Sequence, residues 1–82
     1  RMNIPNITIY TTTSCVYCKM AKEFFKSNNI AYKEINVEND LDAQQEMIKK
    51  SGQMGVPVIE INGSIVVGFD KGYVEKLLGI RE

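Results

Sequence analysis

The two cysteines of this chain stand three positions apart, as Cys15-Val16-Tyr17-Cys18. A pair at that spacing has three chemical readings. As a structural staple it would close a very short loop and restrict the unfolded chain little. As half of a structural zinc site it lacks partners, because the chain has no histidine and no third cysteine and such a site wants four ligands. A site shared between two chains, or an iron–sulfur cluster with outside ligands, keeps a metal-scaffold reading open. Reversible dithiol–disulfide exchange is the leading reading. It needs a thiolate to attack a disulfide sulfur and a second thiol to resolve the mixed disulfide that results. The C-x-x-C spacing is only moderately specific, so the surrounding elements must decide.

Ile7-Thr8-Ile9-Tyr10 alternates and is rich in strand formers, which predicts a strand. Thr11-Thr12-Thr13-Ser14 is polar and offers several helix caps. From Val16 the pattern turns helical, with Met20, Ala21, Phe24 and Phe25 on one side and Lys19, Lys22, Glu23 and Lys26 on the other. Cys15 thus falls at a strand-to-helix junction and Cys18 about one turn inside the helix. Unpaired amides converge at that point and the helix dipole favours negative charge. Cys15 is therefore the expected nucleophile, and Cys18, pointing back into the same turn, the less exposed resolving thiol. Tyr17 is expected to shield the pair and offer a face to a partner. Lys19 reads first as a solvated surface lysine.

Ala31 to Val37 reads as a second strand, and Glu38-Asn39-Asp40 as the capping run of a helix to which Leu41, Gln44, Gln45 and Ile48 give a part-apolar face that Met47 extends. Ser51-Gly52 stops that helix. Val58-Ile59-Glu60-Ile61 and Ser64-Ile65-Val66-Val67 flank Asn62-Gly63, a strong hairpin signal. Asp70 is the expected cap of a last helix that buries Tyr73, Val74, Leu77 and Leu78. The order β-α-β-α-β-β-α gives an α/β fold: a four-stranded mixed sheet with three helices packed on both faces.

Eighty-two residues make a single domain, 1–82, with 44% hydrophobic and 24% charged residues, a composition that excludes disorder. Ten basic and ten acidic residues cancel, so no whole-chain field favours nucleic acid or an anionic membrane. Arg1-Met2-Asn3-Ile4-Pro5 contains no apolar signal segment and no run approaches spanning length. A cytoplasmic monomer is expected.

Three motifs at their mutual spacings resemble the glutaredoxin family, in the broad sense that includes glutaredoxin-like redoxins serving ribonucleotide reductase. They are Ile9-Tyr10-Thr11 before Cys15-Val16-Tyr17-Cys18-Lys19, then Gly55-Val56-Pro57-Val58, then Gly68-Phe69-Asp70, and the resemblance spans residues 4–80. It implies a thioredoxin-like fold with strand order 2-1-3-4. It also implies a cis peptide before Pro57, where position alone favours a trans proline opening a strand. Cys15 matches the family nucleophile and Cys18 the resolving cysteine. Thr13, Tyr17, Val56, Pro57, Gly68, Phe69 and Asp70 fall where the family binds glutathione or substrate. There the Val56 backbone pairs with the ligand, Gly68 lets it approach and Asp70 receives the γ-glutamyl end. No tightly bound cofactor and no metal is implied; glutathione enters as a co-substrate.

Two departures count against a standard glutathione site. Thr12 and Thr13 stand where many members carry a lysine, and Lys71 follows Asp70 where many have a second acid. Lys49, Lys50 or Lys71 are candidate replacements for the missing charge. The leading function is a dithiol–disulfide oxidoreductase that reduces protein disulfides or glutathione mixed disulfides. Its own disulfide would be recharged by glutathione or by a flavoprotein thioredoxin reductase. The alternatives are a dedicated electron donor to ribonucleotide reductase loaded by that reductase, and the metal or iron–sulfur scaffold.

Overall fold

A computed structural model describes residues 4–80; the reading of Arg1 to Asn3 as free of a signal segment lies outside them. Seven elements follow one another: β1 (Ile7–Thr11), α1 (Val16–Ser27), β2 (Lys33–Asn36), α2 (Leu41–Ser51), β3 (Val58–Ile61), β4 (Ser64–Val67) and α3 (Lys71–Leu78). The sheet order is β2-β1-β3-β4. β1 runs parallel to β2 with Ile9 beside Glu34, and antiparallel to β3 with Ile9 opposite Ile59. β3 and β4 form the hairpin, and Asn62 takes a positive φ of 50° and Gly63 one of 91° at its turn.

Strand alternation divides the core between the two sheet faces. Ile7, Ile9, Ile59, Ile61 and Val66 meet Ala21 and Phe25 of α1 and Val74 of α3. Tyr10 and Val58 meet Val37 together with Ala43 and Met47 of α2. Phe25 is fully buried and packs edge-on against Phe24 at 5.5 Å and tilted against Tyr32 at 5.7 Å. Burying a side chain of that size contributes about 1.5–3 kcal/mol.

Several expectations shift. β2 is shorter than the 31–37 run, because Tyr32 turns into the α1-side core and Val37 keeps only a ladder-like N–H bond to Thr11 O at 2.9 Å. On α1 the buried stripe is Cys18, Ala21 and Phe25, and Met20 is half-exposed. On α2 the cap at Asp40 starts the helix with Leu41 facing out, 72% exposed, while Ala43 and Met47 point in. On α3, Tyr73 is nearly half exposed and Val74 is buried.

Candidate active site

The row Tyr10–Val58–Val67 crosses three strands. One residue further along each strand, the same end of the sheet carries Thr11, Pro57 and Gly68. The Gly68 N–H donates to Pro57 O at 2.8 Å, which locks the last two together. From Thr11 the chain turns through Thr12, Thr13 and Ser14 to Cys15, and from Gly68 it turns through Phe69 to Asp70. All three sequence motifs therefore converge at one end of the sheet.

Cys15 is itself the N-cap of α1, in extended backbone conformation (φ −85°, ψ 112°). This corrects the expectation that one of Thr11 to Ser14 would cap. The Cys18 N–H donates to Cys15 Sγ at 3.0 Å and the Lys19 N–H to Cys15 O at 3.2 Å. Sulfur thus takes the place that a serine or aspartate oxygen takes at an ordinary cap. No acidic residue stands in the first turn of α1 to oppose a thiolate there. Cys15 is half-buried, whereas Cys18 is 1% exposed. The two are joined as a disulfide, with Cα atoms 5.2 Å apart. Val16 and Tyr17 between them are exposed, as is Met54 on the loop that leads to Val56.

The Val56–Pro57 peptide is cis, as the family resemblance implied, and Pro57 is buried. Val56 is half-buried and lines a groove of about 330 Å³ with Thr12, Glu38, Gln44, Met54 and Gly55. Gln44 fixes the wall of that groove, donating from Nε2 to Val37 O at 2.6 Å. Gly68 adopts φ 79°, which a residue with a side chain reaches only under strain. The Phe69 ring packs against Phe24 at 5.8 Å, so its backbone is what remains for a ligand. Asp70 caps α3, its Oδ1 accepting the Tyr73 N–H at 3.2 Å.

The candidate replacement lysines are otherwise engaged or elsewhere. Lys50 is bonded to Glu60, Tyr10 and Glu46, and those oxygens, Glu60 foremost, raise its pKa. Lys71 pairs with Glu75 at 3.1 Å. Lys49 is exposed in the last turn of α2. Among the described residues no group of three or more histidine, cysteine or acidic side chains is arranged to hold a metal.

One residue stands out that the sequence showed only as part of a capping run. Glu38 sends its carboxylate across to the loop before Cys15, where Oε1 accepts the Thr13 backbone N–H at 2.8 Å. That amide, then the Thr13 side chain, hold the Glu38 carboxyl below the usual carboxylate range. No local pattern announces such a contact, because the residues lie 25 positions apart in sequence.

Comparison with known proteins agrees with this geometry. Residues 7–66 match the family model described as Glutaredoxin. A glutaredoxin-like 8.6 kDa protein in a rubredoxin operon of Clostridium pasteurianum is 47% identical over 72 residues, covering 88% of this chain and 96% of that one. Glutaredoxin 3 of Escherichia coli K12 is 35% identical over 68 residues, covering 83% and 82%. The crystal structure of the thioredoxin-like protein BC3987 superposes with a TM-score of 0.82 at 33% identity, over 88% of this chain and 99% of that one. With its Cys15–Cys18 pair at the head of α1, the chain belongs to the glutaredoxin family and is a thiol–disulfide oxidoreductase.

Proposed function

We propose that Cys15 is the attacking thiol and Cys18 the resolving thiol of a carrier that reduces protein disulfides or protein–glutathione mixed disulfides. The observation that carries this reading is the asymmetry of the pair. Cys15 is partly open and its sulfur accepts an amide N–H at 3.0 Å, while Cys18 is closed off from solvent. An amide donor stabilises the thiolate and lowers the thiol pKa.

In the reduced protein, the Cys15 thiolate attacks one sulfur of the substrate disulfide. A bond forms between Cys15 Sγ and that sulfur, the substrate S–S bond breaks, and the departing sulfur leaves as a thiolate that takes a proton from water. Cys18 then loses its proton and attacks Cys15 Sγ. The mixed disulfide breaks, the second substrate thiol is released, and two electrons have passed to the substrate. What remains is the Cys15–Cys18 disulfide.

We assign Thr13, Tyr17, Val56, Pro57 and the backbone of Gly68 to Asp70, which the chain brings to the same end of the sheet as Cys15, to holding the extended stretch next to the substrate disulfide. Residues 1–82 act as one domain and as a monomer, on protein partners rather than on nucleic acid or membranes. No helix among the described residues is long and apolar enough to cross a membrane, and a cytoplasmic setting suits a reducing dithiol.

Two reductants suit the site, glutathione and a flavoprotein thioredoxin reductase. Thr12 and Thr13 in place of a basic residue, and a relative encoded in a rubredoxin operon, favour the reductase and a redoxin role such as supplying ribonucleotide reductase. The test mixes the oxidised protein with reduced glutathione, or with thioredoxin reductase and NADPH, and follows thiol appearance. Cys15→Ser is expected to abolish disulfide reduction, and Cys18→Ser to accumulate a Cys15 mixed disulfide visible as added mass. A Cys15→Ser protein that still reduces disulfides would overturn the assignment. Fast recovery of thiols with glutathione identifies the glutathione-dependent carrier, and recovery with the reductase alone identifies the redoxin.

A further inference from the structure

The loop that delivers the chain to Cys15 is held by a closed ring of three residues. The Thr13 N–H donates to Glu38 Oε1 at 2.8 Å, the Glu38 N–H donates to Asn36 Oδ1 at 2.9 Å, and Asn36 Nδ2 donates to Thr13 Oγ1 at 3.3 Å. Asn36 ends β2, which is paired with β1 through Thr11, so the ring is anchored to the sheet. Gln44 steadies the other side of Glu38 by donating to its carbonyl oxygen at 3.3 Å. Thr13 stands two residues before Cys15. Where its amide is held decides how the chain enters the N-cap at which Cys15 Sγ meets the Cys18 N–H.

Glu38 is exposed, and a solvated carboxylate has water to bond. Its reach across to a backbone amide of a different loop is a charge-assisted contact, about twice as strong as a neutral one. It also satisfies an amide that neither β1 nor α1 takes into its own hydrogen bonding.

We propose that Glu38 is a positioning residue for the thiol chemistry, acting through Thr13 to fix the loop that sets Cys15 against the Cys18 amide. This rests on the reading of Cys15 as the attacking thiol. Positioning and bare charge act in opposite directions on that thiol. A negative charge near a thiol disfavours the thiolate, so removing it lowers the thiol pKa. Loosening the loop weakens the amide contact and raises it.

The sign of the change in the Cys15 pKa therefore separates the two. The reduced protein is alkylated with iodoacetamide across a pH series, with modification read by intact mass and folding checked by circular dichroism. In Glu38→Ala the Cys15 pKa read from the pH series is expected to rise by about one unit, and alkylation at pH values below the parent's thiol pKa, where all the rates below are compared, to slow roughly tenfold. Glu38→Gln keeps an acceptor for the Thr13 amide and should recover the rate to within about twofold of the parent. Asn36→Ala breaks the other tie to Thr13 and should slow alkylation about threefold, which keeps the question answerable should Glu38→Ala fail to fold. An unchanged or lowered Cys15 pKa in Glu38→Ala overturns the proposal, as does a Glu38→Gln protein as slow as Glu38→Ala or an unchanged rate in Asn36→Ala. Cys15→Ser serves as the separate control. If fast alkylation survives in it, the reading of Cys15 fails; if it disappears while the Glu38 variants behave as the parent, only the role of Glu38 fails.

Discussion

The two faces of the sheet are closed in different ways. Under α1 and α3 the closure is hydrocarbon, with four aliphatic strand residues and Val66 meeting Phe25, Ala21 and Val74, and with the Phe24, Tyr32 and Phe69 rings around the edge. Under α2 a single helix spans a four-stranded sheet. Met47 and Ala43 cover its centre, and beyond them the face is finished by charge. Lys50 lies over the Tyr10 ring at 5.7 Å, donates to its hydroxyl oxygen at 3.2 Å and joins Glu60 at 2.9 Å and Glu46 at 3.2 Å. Two grooves open on this second face, one beside Val56 and one of about 390 Å³ bordered by Thr8, Lys33 and Glu60. The contrast teaches where stability and access reside. The face with two helices holds α1, and with it the dithiol, against a dense core. The face with one helix leaves room beside the cis-proline strand for something to lie.

The largest expected effect tests that division directly. Phe25→Ala should cost about 3–5 kcal/mol in unfolding free energy by guanidinium titration, because it empties a dense site with little room to collapse. Met47→Ala on the thinner face should cost about 2–3 kcal/mol, a flexible side chain beside a groove being easier to compensate. Equal losses in the two variants would break the comparison. Next in size is Tyr10→Phe, which removes the hydroxyl that donates to Glu46 and accepts from Lys50. A loss of about 0.5–1.5 kcal/mol is expected from the same titration; a loss as large as that of Met47→Ala would mean that polar contacts carry the α2 face.

The smallest effect concerns an ion pair on the α1 side. Glu34 meets Lys22 Nζ at 2.9 Å and accepts from Thr11 Oγ1 at 2.7 Å, and these bonds, Lys22 foremost, hold its carboxyl below the usual range. Its side chain is 34% exposed, so Glu34→Gln should cost under about 1 kcal/mol at neutral pH. The folded-state pKa is depressed. The stabilisation is therefore complete above the unfolded value of about 4.3 and fades as pH falls through the lowered folded value. The gap between parent and Glu34→Gln should accordingly close in acid. A gap that persisted at pH 2 would show that Glu34 acts through packing rather than charge.

Much of this was legible before any coordinates. The Cys15–Cys18 spacing at a strand-to-helix switch, the Asn62-Gly63 hairpin and the caps at Asp40 and Asp70 are local signals. A turn or cap is decided by a few neighbouring residues, so the sequence carries it intact. Helix faces were legible only in outline. Periodicity finds the stripe but not its edges, which is why Met20, Leu41 and Tyr73 read as part of it, while Met20 and Tyr73 are nearly half exposed and Leu41 faces out. The hydroxyls of Thr11 to Ser14 read as the caps of α1 and Cys15 takes that place, because sulfur is a poor acceptor in the abstract and a good one where an amide is held against it.

Contacts between distant segments were illegible. Glu38 with Thr13, Glu34 with Thr11 and Lys50 with Tyr10 join residues 25, 23 and 40 positions apart. Charged and polar residues leave no periodic trace that pairs them. The sequence by itself determined the dithiol, the order of elements and the apolar stripes, since each depends on residue type at short range. The lower exposure of Cys18 was also legible, from its place one turn inside the helix; only the tertiary structure decided how closely the three motifs meet at one sheet end and which acid holds the loop before Cys15. Those depend on where strands paired across the sheet place side chains in space, and pairing is a long-range result of burying both faces at once.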